Sequence, residues 1–208
     1  MTDQRLDDIE RYYSAKIAEH GPVARGVDWK DEASQTLRFD KLSAAFGPDS
    51  TDEVADWGCG YGAYCGYLSG RFPRMGYTGI DISAEMVEAA RASLGETERR
   101  RFLQADRPDR PHDWCVASGI FNVRLERDDA SWLGVIHDII DLMDAHSTKG
   151  FAFNALTSYS DADKQRDYLY YASPEDLFAR CKSRYSRFVT LLHDYDLYEF
   201  TIIVRKAP

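Results

Sequence analysis

Val54-Ala55-Asp56-Trp57-Gly58-Cys59-Gly60-Tyr61-Gly62 is the stretch on which the reading of this 208-residue chain turns. A short apolar run ends in a carboxylate, and three glycines follow at alternate positions. Glycine has no Cβ and tolerates positive φ, so such a run lets backbone N–H groups close around a ligand that side chains would push away. Residues 63–68 then carry the apolar side chains of a helix packing back on a sheet. Strand, glycine turn and helix together make a nucleotide-type cradle at the carboxyl end of a strand. The spacing alone leaves the ligand open. Gly58-Cys59-Gly60-Tyr61-Gly62-Ala63 also satisfies the dinucleotide fingerprint G-x-G-x-x-G/A, and a tight turn without a ligand would use the same glycines.

Downstream residues narrow the choice. Residues 76–82 read as a second strand, and its Asp81 falls about twenty positions past the glycines, where a carboxylate can accept from both ribose hydroxyls. Ser83 offers an N-cap to a helix bearing Met86, Val87, Ala90 and Leu94. A third strand, 101–105, leads into Asp106 and is closed by Arg107-Pro108. A fourth spans 113–118. The joint that follows, 119–129, is long, and long joints at strand ends tend to carry function. A helix over 131–145 would bury Trp132, Val135, Ile136, Ile139, Ile140 and Met143. Strand five covers 149–156, and the polar, tyrosine-rich 157–171 reads as a lid or loop. Ser173-Pro174-Glu175-Asp176 starts a helix, with a capping hydroxyl and proline at the first helical position, that runs to near Arg184. Segments 187–195 and 199–206 close the chain as a β-hairpin. Alternating strands and helices predict a parallel sheet covered on both faces.

Ahead of the glycine strand, 5–19 has a single apolar face of Leu6, Ile9, Tyr13 and Ile17. Gly21-Pro22 breaks it, and 23–29 reads as a loop. Helical spacing resumes over 31–46 with Ala33, Leu37, Leu42 and Phe46 inward, and Gly47-Pro48 stops it. The division predicted is a helical cap over 1–48 and a core over 49–208. Tyr12, Tyr13 and Trp29 serve either to pack this cap or to cover a ligand.

Composition bounds the rest. With 44% hydrophobic and 29% charged residues the chain suits one buried α/β domain. A formal net charge of −9 argues against nucleic acid, which wants a basic face. No apolar run approaches a membrane span and the start lacks a signal pattern, so a cytoplasmic, non-membrane protein is expected. Cys59, Cys65, Cys115 and Cys181 form no C-x-x-C pair and have no histidine set nearby, so free thiols and no metal are expected.

Three segments carry a family resemblance: Asp56 to Gly62, then Gly79-Ile80-Asp81-Ile82-Ser83-Ala84-Glu85-Met86, then Gln104-Ala105-Asp106. With the terminal hairpin, they resemble the class I S-adenosylmethionine-dependent methyltransferases over roughly residues 51–208. The resemblance implies a Rossmann-like α/β fold with a seven-stranded sheet in the order 3-2-1-4-5-7-6, strand seven antiparallel. It implies S-adenosylmethionine as cofactor and S-adenosylhomocysteine as product. Carried over by position, Gly58 and Gly60 lie against the methionyl and ribose portion, with Cys59 between them. Asp56 holds the amino-acid end, Asp81 the ribose hydroxyls, and Ile82 follows it along the sugar and base. Asp106 accepts from the adenine amino group, Ala105 presents its backbone N–H to the ring, and Ser118 offers its carbonyl to the ammonium. Tyr13 of the cap would cover the bound molecule.

Members that methylate exocyclic amines of bases or amides often carry a diagnostic tetrapeptide after strand four. Ser118-Gly119-Ile120-Phe121-Asn122 departs from it, which favours a small soluble metabolite as acceptor, with oxygen or nitrogen as nucleophile. Strand six should end on the cofactor side, bringing His193, Asp194 and Tyr195 to the rim. His193 is then the expected general base or positioning group, with Asn122 and Tyr195 as further catalytic candidates. Arg25, Arg38 or Arg124 could pair with an acceptor carboxylate, and Arg124, Asn154 and Tyr159 lie on the joints. A nicotinamide-dependent oxidoreductase and a non-catalytic cofactor-binding protein are the alternatives; either way a monomer or homodimer is expected.

Overall fold

The computed structural model describes residues 4–207. One sheet holds β1 (Glu53–Trp57), β2 (Gly76–Asp81), β3 (Arg100–Gln104), β4 (His112–Ala117), β5 (Ser147–Leu156), β6 (Phe188–Leu192) and β7 (Glu199–Arg205). The strand order is β3-β2-β1-β4-β5-β7-β6. β1 to β5 pair in parallel, while β7 runs antiparallel to β5 and β6. Order and reversal are those expected from the sequence. The carboxyl ends of the parallel strands, and of β6, therefore share one edge.

Six α-helices flank the sheet: α1 (Asp7–His20), α2 (Glu32–Ser43), α3 (Ala63–Arg71), α4 (Ala84–Leu94), α5 (Asp129–Ala145) and α6 (Pro174–Arg184). Successive strand residues point to opposite faces, so a central strand must be apolar throughout. In β1, Val54 joins one core while Ala55 and Trp57 join the other. The first core gathers Phe39 and Leu42 of α2, Tyr64, Cys65 and Leu68 of α3, and Val87 and Ala90 of α4. The second gathers Trp132, Val135, Ile136 and Ile140 of α5 with Leu177 and Cys181 of α6. The helices ahead of residue 48 have no core of their own: Ile9 of α1 belongs to the second cluster and Phe39 to the first.

Side-chain caps fix where helices begin. Ser83 Oγ accepts from Met86 N at 3.2 Å and Ser173 Oγ from Asp176 N at 3.1 Å. Asp31 and Asp128 cap α2 and α5 in the same way, each at 2.8 Å. Each such cap contributes about 1 kcal/mol.

Some sequence expectations need correcting. The buried face of α2 is Gln35, Arg38, Phe39, Leu42 and Ser43, whereas Ala33 is exposed and Phe46 lies past the helix end. Counting only apolar residues misplaced that face, because Arg38 is buried by an ion partner on β7. Residues 23–29 are not wholly loop: Ala24–Val27 form a 3-10 turn. The joint 157–171 also holds a short 3-10 turn, Ala162–Lys164. All four cysteines are free and buried. Among the described residues no cluster could hold a metal ion, and no helix is long and apolar enough to cross a membrane.

Candidate functional site

At the shared edge, the glycine turn and Asp81 make one hydrogen-bonded unit. Gly58 N and Cys59 N both donate to Ile80 O, at 2.8 and 3.0 Å, which curls the chain over the end of β2. Gly58 and Gly60 have φ of 73° and 53°, and a Cβ on Gly58 would come within 2.3 Å of the Ile120 side chain. Only glycine fits that close approach. Gly60 N donates to Asp81 Oδ2 at 2.8 Å and Ser83 N to Asp81 Oδ1 at 2.9 Å. The carboxylate thus sets the turn and the start of α4 while keeping lone pairs free for a ligand. Burial pushes its pKa up to about 6, against the pull of the backbone N–H groups.

Beside it, Asp56 is 1% exposed. Its Oδ2 accepts from Tyr77 O–H, but Oδ1 has no partner although fully buried. Burial raises this acid to about 7, with the nearby Asp81 adding to the rise. Ser118 Oγ, at the end of β4, is a second buried oxygen without a partner. Buried polar atoms are nearly always satisfied, so two orphans on one wall call for an occupant. Both residues line a cavity whose empty space, part of it open to solvent, is about 980 Å³.

The roof of the cavity comes from the N-terminal helices. Leu6, Ile9 and Tyr13 of the first helical stretch, Val27 and Trp29 of the connection, and Gln35 and Phe39 of α2 all line it. α1 is tied down on both sides. Ser14 Oγ bonds Ser83 Oγ at 2.9 Å and Glu85 Oε2 at 2.7 Å, while Arg127 bridges to Asp8 at 2.7 Å. Tyr12 donates to Asp28 at 2.8 Å and lies edge-on to Tyr13. Burial raises the pKa of Tyr13, so its hydroxyl stays protonated beside Asp81. Ile139 of α5, expected to be buried, is half-buried and lines the cavity.

The expected cofactor residues Asp56, Gly58, Cys59, Gly60, Asp81, Ile82, Ala105, Ser118 and Tyr13 come together on this wall. Two details depart from expectation. Ala105 N already donates to Asp81 O at 2.9 Å, extending the β2–β3 ladder, so it has no N–H to present to a ring. Asp106 is not part of the lining, and its carboxylate pairs with Arg107 at 2.9 Å. The expected catalytic residues stand apart from the cavity. Asn122 is buried and its Oδ1 accepts from Leu156 N at 3.0 Å, stitching the long joint to β5. Tyr195 O–H meets Thr201 Oγ1 at 3.0 Å. His193 is exposed beyond β6, its ring 5.8 Å from that of Tyr159.

Sequence reasoning left Glu199 unassigned. It is 1% exposed and binds Arg38 through paired contacts at 2.9 Å, with Asn154 Nδ2 also at 2.9 Å. An acid opening a strand that continues Phe200-Thr201-Ile202-Ile203-Val204 was the available signal. Gln35, which accepts from Tyr61 O–H at 3.1 Å on the cavity wall, gave no signal at all.

Comparison with known proteins gives concordant results. The sequence profile of a family described as "Methyltransferase domain" matches residues 54–141. A protein of Mycobacterium tuberculosis (strain ATCC 25618 / H37Rv) named "Putative methyltransferase Rv1506c" is 55% identical over 154 residues, which are 74% of this chain and 93% of that one. Among solved structures, the N-methyltransferase NodS from Bradyrhizobium japonicum in complex with S-adenosylhomocysteine superposes with a TM-score of 0.67 at 15% identity. That match covers 97% of this chain and 100% of the other. The magnesium protoporphyrin IX methyltransferase ChlM from Synechocystis with bound S-adenosylmethionine gives 0.66 at 11% identity, covering 99% of each chain. At these identities the structural matches speak to the fold.

Proposed function

The chain belongs to the class I S-adenosylmethionine-dependent methyltransferases, and from that premise we propose that it methylates an oxygen or nitrogen atom of a small organic acceptor. S-adenosylmethionine is the cofactor and S-adenosylhomocysteine the product. The sheet order with its reversed β7, and the relative at 55% identity, set aside the nicotinamide alternative.

The observation that carries the reading is the pair of orphaned buried oxygens, Asp56 Oδ1 and Ser118 Oγ, on the wall that also holds Asp81. A sulfonium that carries an amino-acid group and a ribose would suit that wall. Asp56 and Ser118 would hold its ammonium end, Asp81 its ribose hydroxyls, and the backbone of Gly58 to Gly60 its midsection. Tyr13 would close over the sugar from α1. When bound, the sulfonium supplies an electrophilic methyl group. The chain's own part is to align an acceptor with that methyl and keep water out, to which the apolar roof of Leu6, Ile9, Val27 and Trp29 would contribute. A roof drawn down onto the cavity favours small acceptors over macromolecules, as does the charge of −9. Asn122 and Tyr195, outside the wall, would act by fixing the joint and the β6–β7 end. His193 would serve as a rim base for an acceptor that must lose a proton; turnover unchanged in His193→Gln across pH would remove that role.

The test is a panel of small alcohols, phenols, carboxylic acids and amines, with an RNA and a DNA duplex, assayed for released S-adenosylhomocysteine. Turnover should appear with a small acceptor and with neither nucleic acid. Tight donor binding with no release from any acceptor would favour a non-catalytic binding protein.

A pH effect follows from the two raised acids. Asp81 ionises near 6 and Asp56 near 7 in the free protein. Hydrogen bonds from ribose and the charge of an ammonium both favour the ionised forms. Binding therefore releases protons at pH values below about 7, and affinity rises with pH up to about 7 before levelling off. Calorimetric titration of S-adenosylhomocysteine in buffers of unequal ionisation enthalpy reads the release directly. An affinity that stays flat across that range, with no proton released, would contradict contact with both acids.

A further inference from the structure

Beyond the donor wall, one buried cation has more donors than partners. Arg38 is 7% exposed, and its Nε and Nη2 bind both oxygens of Glu199. Its Nη1 is fully buried and meets no partner. Arg124, Arg127 and Arg180 also carry a buried nitrogen without a hydrogen bond, on side chains that are 20 to 23% exposed overall. Arg38 differs from them in place as well. Its guanidinium lies 3.8 Å from the ring centre of Trp29, and Trp29 forms part of the donor cavity wall. That ring is pressed against Gly119 so closely that a Cβ there would come within 2.3 Å of it. Gly119 N is held at 2.7 Å by Asn154 Oδ1, and Asn154 Nδ2 is held by Glu199. Arg38, Glu199, Asn154 and Gly119 thus form one chain of contacts from α2 to the end of β4, with Trp29 lying across it.

Resting on the methyltransfer reading, we propose that Arg38 recognises the methyl acceptor: its spare Nη1–H groups receive a neutral carbonyl or hydroxyl oxygen, and Trp29 is the side chain that yields to admit it. Trp29 both walls the donor cavity and stacks on the guanidinium, so displacing that one ring would open Arg38 to the cavity. It is half-buried and follows Asp28, whose φ of 62° makes that connection a strained, left-handed joint in a non-glycine residue. The charge balance selects the oxygen. Glu199 already neutralises Arg38, so a carboxylate arriving at Nη1 would leave a net negative charge in a buried site. A neutral oxygen satisfies the donors without that cost. This replaces the carboxylate partner that Arg38 suggested from sequence.

Benzamide and benzoate, equal in shape and unequal in charge, are the probes. S-adenosylhomocysteine affinity of the wild type is measured first, so that failure of the donor reading is seen separately. On the loaded protein, benzamide should bind at least about fivefold tighter than benzoate, and should perturb the Arg38 guanidinium signals in 15N NMR. Removing Arg38 alone would strand Glu199, so the comparison variant is Arg38→Met/Glu199→Leu, checked by its melting curve. It should lose about tenfold or more in benzamide affinity while donor affinity changes less than about threefold. Trp29→Ala should tighten benzamide. The proposal is overturned if benzoate binds as well as benzamide, if the double variant keeps benzamide affinity, or if benzamide fails to bind the loaded wild type.

Discussion

Replacing Asp81 with alanine is expected to weaken S-adenosylhomocysteine binding at least about 100-fold. The carboxylate does two jobs that alanine cannot do. It receives Gly60 N and Ser83 N, fixing the glycine turn against the start of α4. It also presents its remaining lone pairs to the ribose hydroxyls. A hydrogen bond to a charged group contributes about 1.5–3 kcal/mol, and two are lost, so about 3 kcal/mol is a lower figure. Asp81→Asn separates the two jobs. Its amide keeps one acceptor oxygen but sets an NH2 against either Gly60 N–H or Ser83 N–H, so donor meets donor. Its affinity should fall between wild type and Asp81→Ala. Calorimetric titration, with circular dichroism to confirm folding, decides the matter. An Asp81→Ala protein that binds within threefold of wild type would sink the assignment of the ribose site.

The residues of this site were the most legible part of the chain, and the reason is local. Glycines at 58, 60 and 62, an acid about twenty positions on, and a capping serine after it are requirements of backbone geometry. Such requirements show in sequence because few residue types meet them. A parallel sheet closed by a hairpin was legible for a similar reason, since alternation of strands and helices forces parallel neighbours, while the order of its strands came from the family resemblance. Asp56 and Ser118 were placed by the family resemblance, and nothing in the sequence told that each would hold an unpartnered buried oxygen.

What the sequence concealed is everything that depends on distant partners. Arg38 and Glu199 are 161 positions apart, and neither lies in a motif. Spacing placed Ala33 inward because alanine is apolar, yet the helix turned to bury an arginine. Which core each N-terminal helix joins was likewise hidden, since periodicity alone does not say it. Ala105 shows a subtler limit. A strand end was foreseen there, but whether its N–H points to a ligand or closes one more rung on Asp81 depends on the register of β2 and β3. Register is a property of two strands together.

The second large effect concerns the buried ion pair. Glu199→Ala should cost about 3–5 kcal/mol of stability, the range found when one partner of a buried pair is removed. Two losses combine, at a sensitive place. Arg38, 8% exposed at its side chain, is left charged among apolar neighbours. Asn154 Nδ2 loses its acceptor, and with it the restraint on the side chain that holds Gly119 N. β7 begins at this residue, sandwiched between β5 and β6, so the defect sits at the seam where the hairpin joins the parallel sheet. Replacing both charges together should cost far less than the single change, because well-packed apolar side chains avoid the desolvation that the pair must overcome. Urea unfolding of wild type, Glu199→Ala and Arg38→Met/Glu199→Leu measures all three. A single variant within 1 kcal/mol of wild type would mean that Arg38 finds water or another acceptor when its partner goes. A double variant as damaged as the single one would mean that the shape of the pair, rather than its charge, holds α2 to β7.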